Sequence, residues 1–203
     1  AKTVDAGGLA VSPGFIDLHT HSDISFLLDS SAQSKVRQGV TLELAGNCGS
    51  SFCAPLHGAA EGLFRSRAAQ YPEPLDITWT DFGGYLDALQ RAGSTVNLAV
   101  QVGHGTVRSC VVGLDARAPD GEELERMKAL VAESLDGGAM GLSTGLYYAP
   151  GYYARLDEVI DLAAVAAERG KLYSSHIRAE GGLDVGLFVA LNEAMEVGRR
   201  TGV

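Results

Sequence analysis

The chain has 203 residues, 46% of them hydrophobic and 20% charged, with a formal net charge of −9, values that describe a folded globular chain rather than a disordered one. The acidic balance excludes nucleic acid and anionic membrane as expected partners, since either calls for a basic face. No apolar run approaches the ~20 residues that span a bilayer, the opening AKTVDAGG lacks a secretory pattern, and three cysteines are too few and too odd a number for a disulfide scaffold, so the expected compartment is the reducing cytoplasm.

Taken in chain order, FIDLHTH (15–21) follows Pro13-Gly14 and reads as a strand. SAQSKVRQG reads as a short helix closed by Gly39. VTLELAGN (40–47) is a second strand running into Cys48. Residues 49–79 hold three of the six prolines and read as a long loop with one helix near 58–70. Thr80 or Asp81 caps the helix DFGGYLDALQRAG, and VNLAVQVGH (96–104) is the third strand. The segment 120–137 carries the clearest helix signal, with Asp120 and Glu123 spaced as a capping box and Leu124, Met127, Val131 and Leu135 on one stripe. MGLSTGLYY (140–148) is a fourth strand, 156–169 a helix, KLYSSHI (171–177) a fifth strand and 184–201 a last helix. Strands alternating with helices predict right-handed crossovers and a parallel α/β sheet. Periodicity leaves both a barrel and an open doubly wound sheet standing, and the absence of a phosphate-binding glycine motif after the first strand weakens the nucleotide-binding version.

Several polar residues fall where strands end. His19 and His21, two apart on a predicted strand, share a face and suit one divalent cation; the plainer reading is a pair of surface histidines. Cys48, in Gly46-Asn47-Cys48-Gly49, reads as a zinc ligand, as a nucleophile paired with a histidine, or as a buried structural thiol. Cys53 and Cys110 read as structural. His176 ends the fifth strand and is a third potential ligand position. His104 reads as a loop histidine and His57 as solvated. Tyr148 reads either as a donor to an oxygen that gains negative charge or as a ring packed under a loop. Arg178, two residues past His176, has the fork to take a substrate carboxylate bidentately.

PGFIDLHTHSD resembles the first-strand signature of the amidohydrolase superfamily. Together GVTLELAGNCG, VGHGTVR, GLSTGLYYAPG and YSSHIRAEGG resemble the N-acyl-D-amino-acid deacylase (D-aminoacylase) family, in the same order and across nearly the whole chain. That resemblance implies a partial TIM-type (β/α)8 barrel of about five βα units from residue 13 to 203, with 1–12 the end of a small β-domain or a linker. It also implies one or two Zn2+ ions, with His19 and His21 at one position, His176 at the other, Cys48 between them and Tyr148 polarising the scissile carbonyl. The expected reaction is hydrolysis of a small N-acyl-D-amino acid to a carboxylate and a free D-amino acid. The family's further histidine ligand and its catalytic aspartate fall beyond Val203, so this stretch alone is expected to be inactive. Dihydroorotases and hydantoinases resemble it less, because none of Lys2, Lys35, Lys128 and Lys171 ends the fourth strand. The alternatives are an amidohydrolase acting on a cyclic amide, a dipeptide or a deaminated base, and a metal-free α/β binding module.

Overall fold

A computed structural model of the chain describes residues 3–73, 75–182 and 184–203. Extended segments lie side by side in chain order, and every pair is parallel. β1 (Phe15–Asp17) pairs with β2 (Val40–Ala45), and β2 with β3 (Asn97–Val100). β4 (Val102–Gly103) pairs with β5 (Gly141–Gly145), and β5 with β6 (Leu172–His176). β3 and β4 are the single strand predicted over 96–104, interrupted at Gln101. The Gln101 N–H donates to the Ala45 carbonyl and the Met140 N–H to the Val100 carbonyl, so the ladder passes from one three-stranded sheet into the other. A doubly wound sheet reverses its strand order at a switch point. Here the order runs straight through, which is the order of a (β/α)8 barrel.

The helices are α1 (Ser25–Leu28), α2 (Gln33–Val36), α3 (Gly58–Ala68), α4 (Phe82–Ala92), α5 (His104–Val111), α6 (Gly121–Asp136), α7 (Leu156–Ala167) and α8 (Leu187–Thr201). α4 begins where Asp81 accepts the Gly84 N–H at 2.7 Å. Met127, Val131 and Leu135 of α6 pack with Val159, Leu162, Ala163 and Ala166 of α7 in the buried layer over β5, where Leu142 is fully buried. Among the described residues no helix is long and apolar enough to cross a membrane. Residues 3–14 carry no strand and are almost entirely exposed, and Ala1 and Lys2 of the predicted linker lie outside the described residues.

Three expectations shift. The helix predicted in SAQSKVRQG is a single turn, because Ala32 in the left-handed region and Gly39 at φ 79° close it at both ends. α5 is a helix with no counterpart among the predicted elements: its short stretch HGTVRSCV follows directly from a strand and carries no cap or stripe strong enough to announce it. β1 ends at Asp17, so His19 and His21 lie beyond the strand rather than on it.

The α6 amino terminus forms the expected capping box. Asp120 accepts the Glu123 N–H at 2.8 Å, and the Glu123 carboxylate accepts the Asp120 N–H at 2.9 Å. Asp120→Ala should lower unfolding stability by about 1 kcal/mol, read as a lower denaturation midpoint at unchanged slope; no loss would mean that Arg117, which also pairs with Glu123, carries the helix start alone.

Candidate metal centre

The loop after β1 keeps a strand-like alternation although the ladder has ended. Thr20 is 5% exposed, its N–H donates to the Leu44 carbonyl at 3.0 Å, and its carbonyl accepts the Asn47 side-chain amide at 3.3 Å. With Thr20 fastened inward, its neighbours His19 and His21 point outward on the side of β2's carboxyl end, their ring centroids 5.5 Å apart. Burial and the charge of His19 lower the His21 pKa, which favours the neutral, ligating form.

Cys48 adopts φ 56°, between Gly46 at 73° and Gly49 at 72°. A left-handed conformation costs a non-glycine residue roughly 1–2 kcal/mol, and here it aims the sulfur at the histidines. Cys48 Sγ lies 3.3 Å from His19 Nε2, and the ligating atoms of His19, His21 and Cys48 all fall within 4.8 Å of one another. Around a tetrahedral zinc, with Zn–N near 2.0–2.1 Å and Zn–S near 2.3 Å, ligand atoms stand roughly 3.4–3.6 Å apart. The trio fits such an ion after small side-chain rotations. Without a cation, burial and the Glu180 charge hold the Cys48 thiol above its usual range.

His176 stands outside that trio, since β6 is separated from β2 by two intervening positions in the sheet. Its Nδ1 is 3.1 Å from the Tyr148 hydroxyl. Its Nε2 is buried without a hydrogen-bond partner, with a Glu180 carboxylate oxygen 3.2 Å away. An orphaned imidazole nitrogen beside a carboxylate also suits a cation. Burial, with the nearby Cys48 second, raises the Tyr148 pKa and keeps the phenol protonated.

Arg178 departs from its expected role. Its Nε and Nη2 take the Glu193 carboxylate bidentately at 2.9 and 2.7 Å, while Nη1 and Nη2 donate to the Tyr152 and Ala154 carbonyls. The fork expected to take a substrate carboxylate ties α8 to residues 152–154. His104 departs as well. It is fully buried at the start of α5, with Nε2 2.9 Å from Glu158, which also receives both of its hydrogen bonds from Arg108 Nη1. His57 is exposed, as expected.

Sequence reasoning passed over the residues that hold this framework. Gln101 is fully buried, donates to Asn47 Oδ1 at 3.1 Å and accepts from Ser174 at 3.0 Å, joining β2's turn to β6. A glutamine inside the apolar run VNLAVQVGH was the available signal. Asp23, just past His21, is buried with neither carboxylate oxygen hydrogen-bonded, and burial pushes its pKa up to about 6. Beside Cys48 and Tyr148 opens a cavity of about 540 Å3, lined also by Phe52, Leu63, Leu114 and Tyr153. A wider groove of about 870 Å3 along α8 touches none of the candidate ligands.

Comparison with known proteins places this arrangement. The sequence model described as "Amidohydrolase family" matches residues 2–190. The chain belongs to the amidohydrolase family. It is 40% identical over 202 residues to N-acyl-D-glutamate deacylase of Alcaligenes xylosoxydans xylosoxydans, covering 99% of this chain and 40% of that protein. A solved D-aminoacylase, described with a binuclear metal centre, superposes with a TM-score of 0.81 at 34% identity over 94% of this chain and 39% of its own. The N-acyl-D-glutamate deacylase of Bordetella bronchiseptica, in complex with zinc and a phosphonate inhibitor, superposes at 0.77 with 37% identity over 94% of this chain and 38% of its own. The amidohydrolase chain thus spans about 40% of the length of the curated relative.

The buried Arg108–Glu158–His104 cluster yields a pH prediction. Burial raises the Glu158 pKa, but the His104 and Arg108 contacts outweigh it and hold the carboxyl below its usual range. Its stabilisation is therefore present above the ordinary carboxylate pKa of about 4.3 and is lost as pH falls through the lower folded value. Glu158→Gln should cost about 3 kcal/mol at neutral pH, because it leaves Arg108 buried without its counter-ion. Acid titration of unfolding should then lose part of its slope below about pH 4; an unchanged acid limb would show that Glu158 titrates alike folded and unfolded.

Proposed function

We propose that the whole protein carrying this chain is a zinc-dependent deacylase that hydrolyses N-acyl-D-amino acids to a carboxylate and a free D-amino acid. The observation that carries this reading is the gathering of His19, His21 and Cys48 within 4.8 Å at the carboxyl end of a parallel sheet, where catalytic residues of such barrels lie. The relatives' names supply the substrate class, and the D configuration rests on them. His19 and His21 would hold one ion, with Cys48 between that position and a second one at His176 if two are bound. When bound, zinc supplies Lewis acidity that polarises an amide carbonyl and acidifies water.

This chain's own residues contribute to the remainder. Tyr148 keeps its proton and, swinging from His176 Nδ1, donates to the carbonyl oxygen as charge gathers there. Thr20 and Asn47 fix the two loop histidines, so little reorganisation accompanies binding. Water adds to the carbonyl carbon, the C–N bond breaks, and the nitrogen leaves as an amine carrying the proton that water gives up. Arg178, with its fork already on Glu193, is assigned a positioning role for α8. We assign residues 1–12 to the end of a small β-domain or a linker and place the protein in the cytoplasm, where an unpaired ligand thiol persists.

In the whole protein, Cys48→Ala should lower bound zinc and reduce activity by more than about 100-fold, beyond the range typical of groups that merely orient a ligand. Cys53→Ala and Cys110→Ala should change neither. N-acetyl-D-amino acids should be cleaved well ahead of their L-enantiomers. Equal losses in all three cysteine variants, or a preference for L-substrates or cyclic amides, would replace this assignment.

A further inference from the structure

We infer that the cavity beside Cys48 and Tyr148 receives an apolar substituent of the substrate, and that the protein therefore prefers uncharged N-acyl-D-amino acids over the acidic ones named for some of its relatives. This rests on the deacylase reading above. The cavity's volume of about 540 Å3 lies within the roughly 300–1,000 Å3 of small-molecule sites. Cys48 and Tyr148 both belong to its wall, so a group bound there lies next to the reacting amide. Phe52, Leu63, Leu114 and Tyr153 supply apolar surface, and none of its lining residues carries a charge.

A carboxylate entering this space would lose its water and find little in exchange. The Ser109 hydroxyl already donates to the Gly105 carbonyl at 2.8 Å and Thr106 Oγ1 accepts the Ser51 N–H at 3.0 Å, so what the wall can offer a carboxylate is neutral hydroxyls and no cation. Arg67 does not line the cavity. Its guanidinium stacks over the Phe52 ring, 4.2 Å from the centroid. An alkyl or aryl group meets the opposite situation: every methylene it buries leaves water for apolar wall.

The acyl chain and the D side chain are both apolar substituents of the same amide, and substrate series separate them. With the whole protein, kcat/KM is measured for acetyl, propanoyl and butanoyl D-alanine, then for the N-acetyl derivatives of D-alanine, D-2-aminobutyrate and D-norvaline. Burial of each methylene should raise kcat/KM about fourfold in the series whose growing end occupies the cavity, about fifteenfold over two. A slope in the first series names the acyl group as occupant, and a slope in the second names the side chain. Leu63 is 45% exposed on α3, so Leu63→Arg is compatible with folding, checked by circular dichroism and zinc content, and should flatten that slope. The wild-type slopes decide the matter even where the variant fails to fold. Flat responses in both series, or N-acetyl-D-glutamate or N-acetyl-D-aspartate cleaved faster than N-acetyl-D-norvaline, would overturn the inference while leaving the deacylase intact. Hydrolysis of none of these amides would overturn the deacylase reading and the inference together.

Discussion

The Asn47 side-chain amide joins the turn after β2 to the loop after β1 and to Gln101, adding side-chain bonds to the backbone bonds that Thr20 and Gln101 make to β2. It donates to the Leu44 carbonyl at 2.8 Å and to the Thr20 carbonyl at 3.3 Å, while its own oxygen receives Gln101. Asn47 is 3% exposed and Gln101 fully buried, so no water stands ready to replace a lost partner. An unpaired polar group in such a place costs roughly 1–3 kcal/mol, and the network is consequently satisfied as a whole or unfavourable as a whole. The loop bearing His19 and His21 inherits that definition. Its backbone has left the ladder, yet it is held as firmly as a strand.

Parallel order, the alternation of strands and helices and the α6 capping box were legible because each depends on residues close in sequence. His19, His21 and Cys48 were legible as candidates because strand ends can be read from where apolar runs stop. What escaped was set by distant pairing. Arg178 looked free for a ligand because nothing in YSSHIR announces Glu193, fifteen residues later, as its counter-ion. His104 looked like a loop residue because Glu158 lies 54 residues away. The two histidines were expected on the strand itself, and the true reason they share a side is the inward fastening of Thr20. Gln101 was visible in the sequence as a polar residue inside an apolar run, but its partners on β2's turn and on β6 follow only from the register of the sheet.

Buried Arg108 and partly buried Arg178 share a pattern in this acidic chain. Arg108 is spent on Glu158 and Arg178 on Glu193, each with its fork turned inward. Arg108 fastens α5 to α7, and Arg178 fastens α8 to residues 152–154. Positive charge is thereby withdrawn from the cavity wall, and the polar chemistry at His19, His21 and Cys48 borders an uncharged space rather than a second charged one.

The contact between Gly145 and Cys48 couples the two sides of that border. A methyl group placed on Gly145 would stand 1.9 Å from the Cys48 carbonyl oxygen, so the two backbones touch with no side chain between them. Protein interiors transmit strain where no soft side chain absorbs it. The sulfur and the phenol of Tyr148, three residues beyond Gly145, are thus mounted on a common knuckle. Residues 145–153 therefore cannot shift toward Cys48 without moving it, and the cavity wall and the candidate ligand trio share one support.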